Sequence, residues 1–146
     1  MVTVALSTIA DNIWQSLYDH LQVGTYAIST SNIFSAYPDS TESDVDYPIV
    51  IIHSPVVETH SAVVNRTYWE SAITVDIDVY HHKAINAKQM ADEIRYALIN
   101  GRNALSEAGL KNMAFPEGDY DMWIEGNKKK HIATVPVTFR WVGQVS

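Results

Sequence analysis

Cysteine is absent from the 146 residues, which excludes disulfide scaffolds, thiolate zinc sites and cysteine nucleophiles. Glycine is scarce, with six residues and no cluster, so the glycine-rich loops that cradle phosphates are missing. No apolar run approaches the roughly 20 residues of a membrane span. The first residues also lack the basic-then-apolar pattern of a secretory signal. The expectation is a soluble protein made and kept in a cytoplasm, with no membrane partner. Positive charge is short as well. Ten Lys and Arg stand against 17 Asp and Glu, for a net charge of −7. Such a domain lacks the basic, counterion-releasing footprint of a general nucleic-acid binder.

The shortage is uneven. Residues 1–80 carry one basic residue, Arg66, and ten acidic ones, a balance of −9; residues 81–146 carry nine basic and seven acidic, a balance of +2. Composition alone does not account for this split.

With 47% apolar and 18% charged residues, the chain has the make-up of one packed globular domain spanning residues 1–146. Ile9, Ile13, Leu17 and Leu21 recur every four residues, predicting an amphipathic helix over 8–22 with Thr8 and Asp11 as a variant capping box. Residues 25–47 are rich in Ser, Thr and Asp and hold no basic residue. They are expected to form a long acidic arm with a short extended piece at 33–36. Ile33, Phe34 and Tyr37 are too apolar for a solvated linker, so the arm is expected to order on a partner.

Strands are predicted at 49–54, 56–64 and 67–81, with a turn at 65–66. In the last of these, Trp69, Ile73, Val75, Ile77 and Val79 alternate with Glu70, Thr74, Asp76, Asp78 and Tyr80, a period of two. Asn86 and Gln89 are placed to open a second helix whose apolar stripe runs from Ala87 to Leu98, and Gly101 stops it. A short helical turn follows through Leu105. A hairpin of 120–125 and 131–142 ends the pattern, turning at 126–128. Pro136 lacks a ladder donor, which predicts an edge position or a bulge there. The resulting fold class is α+β: an antiparallel or mixed sheet of four to five strands with two main helices on one face.

Few constellations carry chemistry. His53, His60, His81 and His82 have no metal-ligand spacing, because adjacent residues at a strand end face opposite ways. Asp76 and Asp78 share one strand face at roughly 6–7 Å, a spacing open to a two-metal or acid–base pair, yet Glu70, Thr74 and Tyr80 make that face a polar outer surface. No G-x-S-x-G elbow is present. Lys128, Lys129 and Lys130 form the one basic run and are expected at a solvated hairpin tip that can dock on an acidic surface.

In its order of elements the chain resembles the tail-terminator (tail-completion, tail-to-head joining) proteins of long-tailed bacteriophages. The features concerned are the N-terminal amphipathic helix, the Y-P-I-V-I-I strand opening (47–52) and the alternating strand from Trp69 to Tyr80. They continue with the A-K-Q-M-A-D-E-I-R-Y-A-L helix (87–98) and a terminal hairpin ending in T-V-P-V-T-F-R-W (134–141). The resemblance implies an α+β domain that forms a ring, a hexamer, on the last ring of the tail tube. Such a ring ends tube polymerisation and presents the joining surface to the head or connector.

The resemblance also implies a virion location at the head-proximal end of the tail, reached from the host cytoplasm, with no catalysis, cofactor or metal. Partners would be the chain itself, the tail tube protein and the head-completion or connector protein, with DNA passing through the channel without specific binding. On this reading Ile33, Phe34, Tyr37, Lys128, Lys129 and Lys130 are candidate subunit or tube contacts, and Asp76 and Asp78 are candidate channel-facing acids. The alternatives are a head–tail adaptor or neck protein, another non-enzymatic binding module, and a hydrolase built on Asp76, Asp78 and nearby histidines.

Overall fold

The computed structural model describes residues 3–4, 9–22, 33–35, 48–62, 68–118, 120–125 and 128–145. In chain order the elements are β1 (Thr3–Val4), α1 (Ile9–Gln22), β2 (Ile33–Phe34), β3 (Ile49–Ile52), β4 (Val56–Ala62) and β5 (Tyr68–His81). There follow α2 (Ala84–Asn100), α3 (Arg102–Glu107), β6 (Leu110–Ala114), β7 (Tyr120–Glu125) and β8 (Lys128–Val145). The fold is α+β with a mixed sheet, as expected, and among the described residues the sheet is made of eight strand segments.

Those segments fill five rows. β5 and β8 form the central antiparallel pair, in unbroken register from Tyr68↔Gln144 to His81↔His131. β3 and β4 follow one another along the far side of β5, and β2 pairs parallel to β3 beyond them. β7, β6 and β1 succeed one another along the far side of β8. β3 and β4 are one row interrupted at Ser54–Pro55. His53 N–H still reaches Asp76 O at 3.0 Å, and the ladder resumes one residue out of step at Val56↔Thr74.

Periodicity decides which face is covered. Ile73, Val75, Ile77 and Val79 of β5 and Ala133, Val135, Val137, Phe139 and Trp141 of β8 are buried together. Ile9, Ile13, Leu17 and Leu21 of α1 join them, as does the Ala87-to-Leu98 stripe of α2. Both main helices therefore lie on one face, where removal of apolar surface from water is the largest stabilising term. Trp14 Nε1–H donates to Ile52 O at 2.7 Å, and His20 Nε2–H donates to Ala97 O at 2.7 Å. These two bonds fix α1 to the sheet and to α2.

Several local expectations are corrected. Tyr80 does not belong to a polar outer surface: with Ile49, Ile51 and Ile132 it forms a second small buried cluster, against which Phe34 packs. α2 begins at Ala84, not at Asn86, and its N-cap Lys83 makes no side-chain capping bond. Only His82 and Lys83 separate β5 from α2, so the chain enters the helix as soon as it has reversed. Pro136 lies in the central strand β8, opposite Asp76. Its missing donor is tolerated because β7 pairs only as far as Ala133 and β6 starts at Thr138, leaving a local gap in the outer row. Lys128–Lys130 are strand residues, in register with Glu125, Ile124 and Trp123, rather than a turn tip.

α3 is the short helix expected through Leu105, whereas β6 was not anticipated. Gly109, at φ 98°, makes the turn into β6, and Asn112, at φ 53°, forms a bulge where the register slips between Lys111 and Ala114. Asn is among the residues that tolerate left-handed backbone. The expected Thr8 cap, most of the 25–47 arm and the 65–66 turn lie outside the described residues.

Candidate functional site

The two strand acids have different surroundings. Asp76 is exposed, and Asp78 is half-buried between neighbouring rows. Asp78 Oδ1 accepts the Thr134 hydroxyl at 2.6 Å, and His53 Nε2 lies 2.7 Å from Asp78 Oδ2. Three rows of the sheet are thus tied on the face opposite the helices. Glu70 and Arg140 form an ion pair between β5 and β8. Among the described residues no group of three or more His, Asp or Glu is placed to hold a metal ion.

The arm and lysine candidates separate. Ile33 is buried in the main core, and Phe34 is half-buried on the opposite face. Tyr37 lies outside the described residues. Lys128, Lys129 and Lys130 have backbone positions at the β7–β8 end of the sheet.

That end holds a constellation unrecognised in the sequence. His81 and His131 are directly opposed across β5 and β8. Tyr120 hydroxyl is hydrogen-bonded to His131 Nδ1, its ring stacks on the imidazole at 5.8 Å, and Lys88 Nζ lies 4.5 Å from the Tyr120 centroid. His81 Nδ1 accepts the Lys83 N–H at 3.2 Å. Burial holds the His81 imidazole below its ordinary pKa, and charge on His82, Lys83 and His131 adds to the depression. The linear signal was His81 at the end of one predicted strand and His131 at the start of another, but the pairing and register of β5 and β8 are needed to bring them together.

The charge split is only partly spatial in the fold: among the described residues one side lacks Lys and Arg, and the other mixes both signs. α1, β2, β3 and β4 lie on the β5 side of the sheet, and their described residues include no Lys or Arg. The β8 side carries α2, α3, β6 and β7, where Lys88, Arg95, Arg102 and Lys111 are interspersed with Asp92, Glu93, Glu107, Asp121 and Glu125. On this second side an open groove of about 550 Å³ runs between α2, α3 and β6, with Ile99, Leu105, Met113 and Phe139 among its walls and Arg102 and Lys111 beside them.

No family model matches the sequence, and no curated protein matches it. A chain in a solved structure described as the virion of a native gene transfer agent (GTA) particle is similar in fold. The TM-score is 0.64 at 16% sequence identity, over 92% of this chain and 98% of that one. At that identity the likeness is one of fold, and it spans nearly the full length of both chains.

Proposed function

We propose that this chain is a non-enzymatic virion structural protein of the tail-terminator type. It assembles as a ring, a hexamer, on the last ring of a tail tube, ends tube polymerisation and offers the opposite surface to a head or connector protein. The observation that carries this reading is the full-length fold likeness to a chain of a gene transfer agent virion, taken with the element order already described.

A ring is a heterologous assembly in which two unlike surfaces of one chain meet. The groove with Arg102 and Lys111 on one side and the margin with Asp11 and Glu58 on the other supply unlike surfaces. The exposed carboxylate of Asp76 is assigned to the channel, where like-charge repulsion keeps passing DNA from sticking. Asp78 supports that face through Thr134 and His53. Phe34, Tyr37 and Lys128–Lys130 are assigned to subunit or tube contacts, and Ile33 anchors the arm in the core.

The test combines light scattering and negative-stain microscopy at high protein concentration, alone and with purified tail tubes. Sixfold rings, or rings capping tube ends and stopping further growth, are the expected result. A strictly monomeric protein at millimolar concentration that also leaves tube ends bare would defeat the proposal.

A further inference from the structure

We infer that successive copies join head to tail through opposite edges of the sheet, the cationic groove of one copy receiving the acidic β4 edge of the next. The inference rests on the ring reading and names the two surfaces that the reading leaves open.

The receiving surface is apolar within and cationic around. Ile99, Leu105, Met113 and Phe139 line the groove, and Arg102 and Lys111 flank it. Ile99 is 43% exposed, and Tyr96, one turn earlier on α2, is 61% exposed. Large apolar side chains left in water beside a concave surface mark an interaction site more often than chance exposure does. Lys111 Nζ donates to Ser106 O at 3.2 Å and lies 3.0 Å from Ser106 Oγ, which holds the ammonium beside the groove.

The inserting surface is on the other margin. β4 pairs with β5 on one side, and no described strand pairs with its other side. Val56, at 60% exposure, stands on this edge with exposed Glu58. Exposed Asp11 of α1 lines the adjoining hollow with Ser54 and Pro55. A strand edge left unpaired among the described residues is a ready pairing surface. Asp11 and Glu58 are acidic, and the two charged residues that line the groove, Arg102 and Lys111, are basic; complementary potentials of this kind steer association and fix register.

The absence of cysteine makes the contact directly testable. Val56→Cys and Asn103→Cys place thiols on the two margins. A mixture of the two single variants is expected to give disulfide-linked dimers, and the double variant a ladder of covalent oligomers. Val56→Cys alone is expected to give none, and dimers from it would mean a symmetric contact and overturn the inference. In parallel, Arg102→Glu with Lys111→Glu, and separately Asp11→Lys with Glu58→Lys, should weaken association at least about tenfold by sedimentation velocity. The chain carrying all four reversals should regain it, and raised salt should weaken the wild type.

Circular dichroism and thermal melting of each variant exclude unfolding as the cause. Rings that form without cross-links and ignore both charge reversals overturn the groove assignment while leaving the ring reading intact. A wild-type chain that never associates, alone or on tubes, overturns both.

Discussion

Asp78 accepts the Thr134 hydroxyl at 2.6 Å while its other carboxylate oxygen lies 2.7 Å from His53 Nε2, so one side chain ties β5 to the rows on either side. Removing the carboxylate leaves a partly buried hydroxyl without its acceptor, at a cost of about 1–3 kcal/mol. Asp78→Ala is therefore expected to lower denaturant stability by that amount. Asp76→Ala, two residues away on the same face but exposed, should stay within about 0.5 kcal/mol of wild type. Urea unfolding of the two variants checks the contrast. Equal effects would mean that Asp78's bonds contribute nothing beyond a surface charge.

A second contrast lies inside the core. Trp141 is fully buried, and Ser71, directly opposite it across β5 and β8, is a buried polar residue whose hydroxyl has no hydrogen-bond partner among the described residues. Trp141→Ala opens a large cavity and is expected to cost about 3–5 kcal/mol. Ser71→Ala removes a desolvated, unsatisfied group and should leave the melting temperature unchanged or raise it. Calorimetry on both variants decides, and a strong loss in Ser71→Ala would show that its hydroxyl is bonded in solution.

The long strands were legible because their apolar residues keep period two over the whole of β5 and most of β8, and α1 because Ile9 to Leu21 keep a helical period. β6 was hidden because its five residues, L-K-N-M-A, show no alternation and contain a positive-φ Asn112. Pro136 misled because propensity describes a strand's own donors, whereas the decisive fact was the gap between β6 and β7. The Asp78–Thr134–His53 tie depends on the register of residues far apart in the chain, which no local pattern encodes.

The histidine end of the sheet gives a pH prediction. Burial and neighbouring charges depress the His81 pKa in the folded state, so above about 6.5, the unperturbed value, His81 is neutral in both states and its contribution is fully present. As pH falls below that value the unfolded chain takes up the proton first, and stability is lost until the folded-state pKa is passed. Protonation at Nδ1 would also end its acceptance of the Lys83 N–H at the entry to α2. Between pH 7.5 and 5.5 the melting temperature of His81→Gln should therefore fall less than that of wild type. Parallel falls would remove His81 from the account.

Gly101 closes α2 where the chain turns into α3, and its φ of −90° is open to any residue. Space, not backbone freedom, demands the glycine. A Cβ there would stand 1.9 Å from His20 Cε1 and 2.0 Å from its Nε2, so Gly101→Ala must expel the imidazole and break its bond to Ala97 O. Overpacking of this kind costs about 1–3 kcal/mol. His20→Ala alone loses only the bond and some packing. In the double variant the obstructing ring is gone, so Gly101→Ala should cost little further. A double-mutant cycle by urea unfolding is thus expected to show strong coupling, with the double variant close to His20→Ala in stability. Simple additivity would mean that the alanine at 101 meets something other than His20.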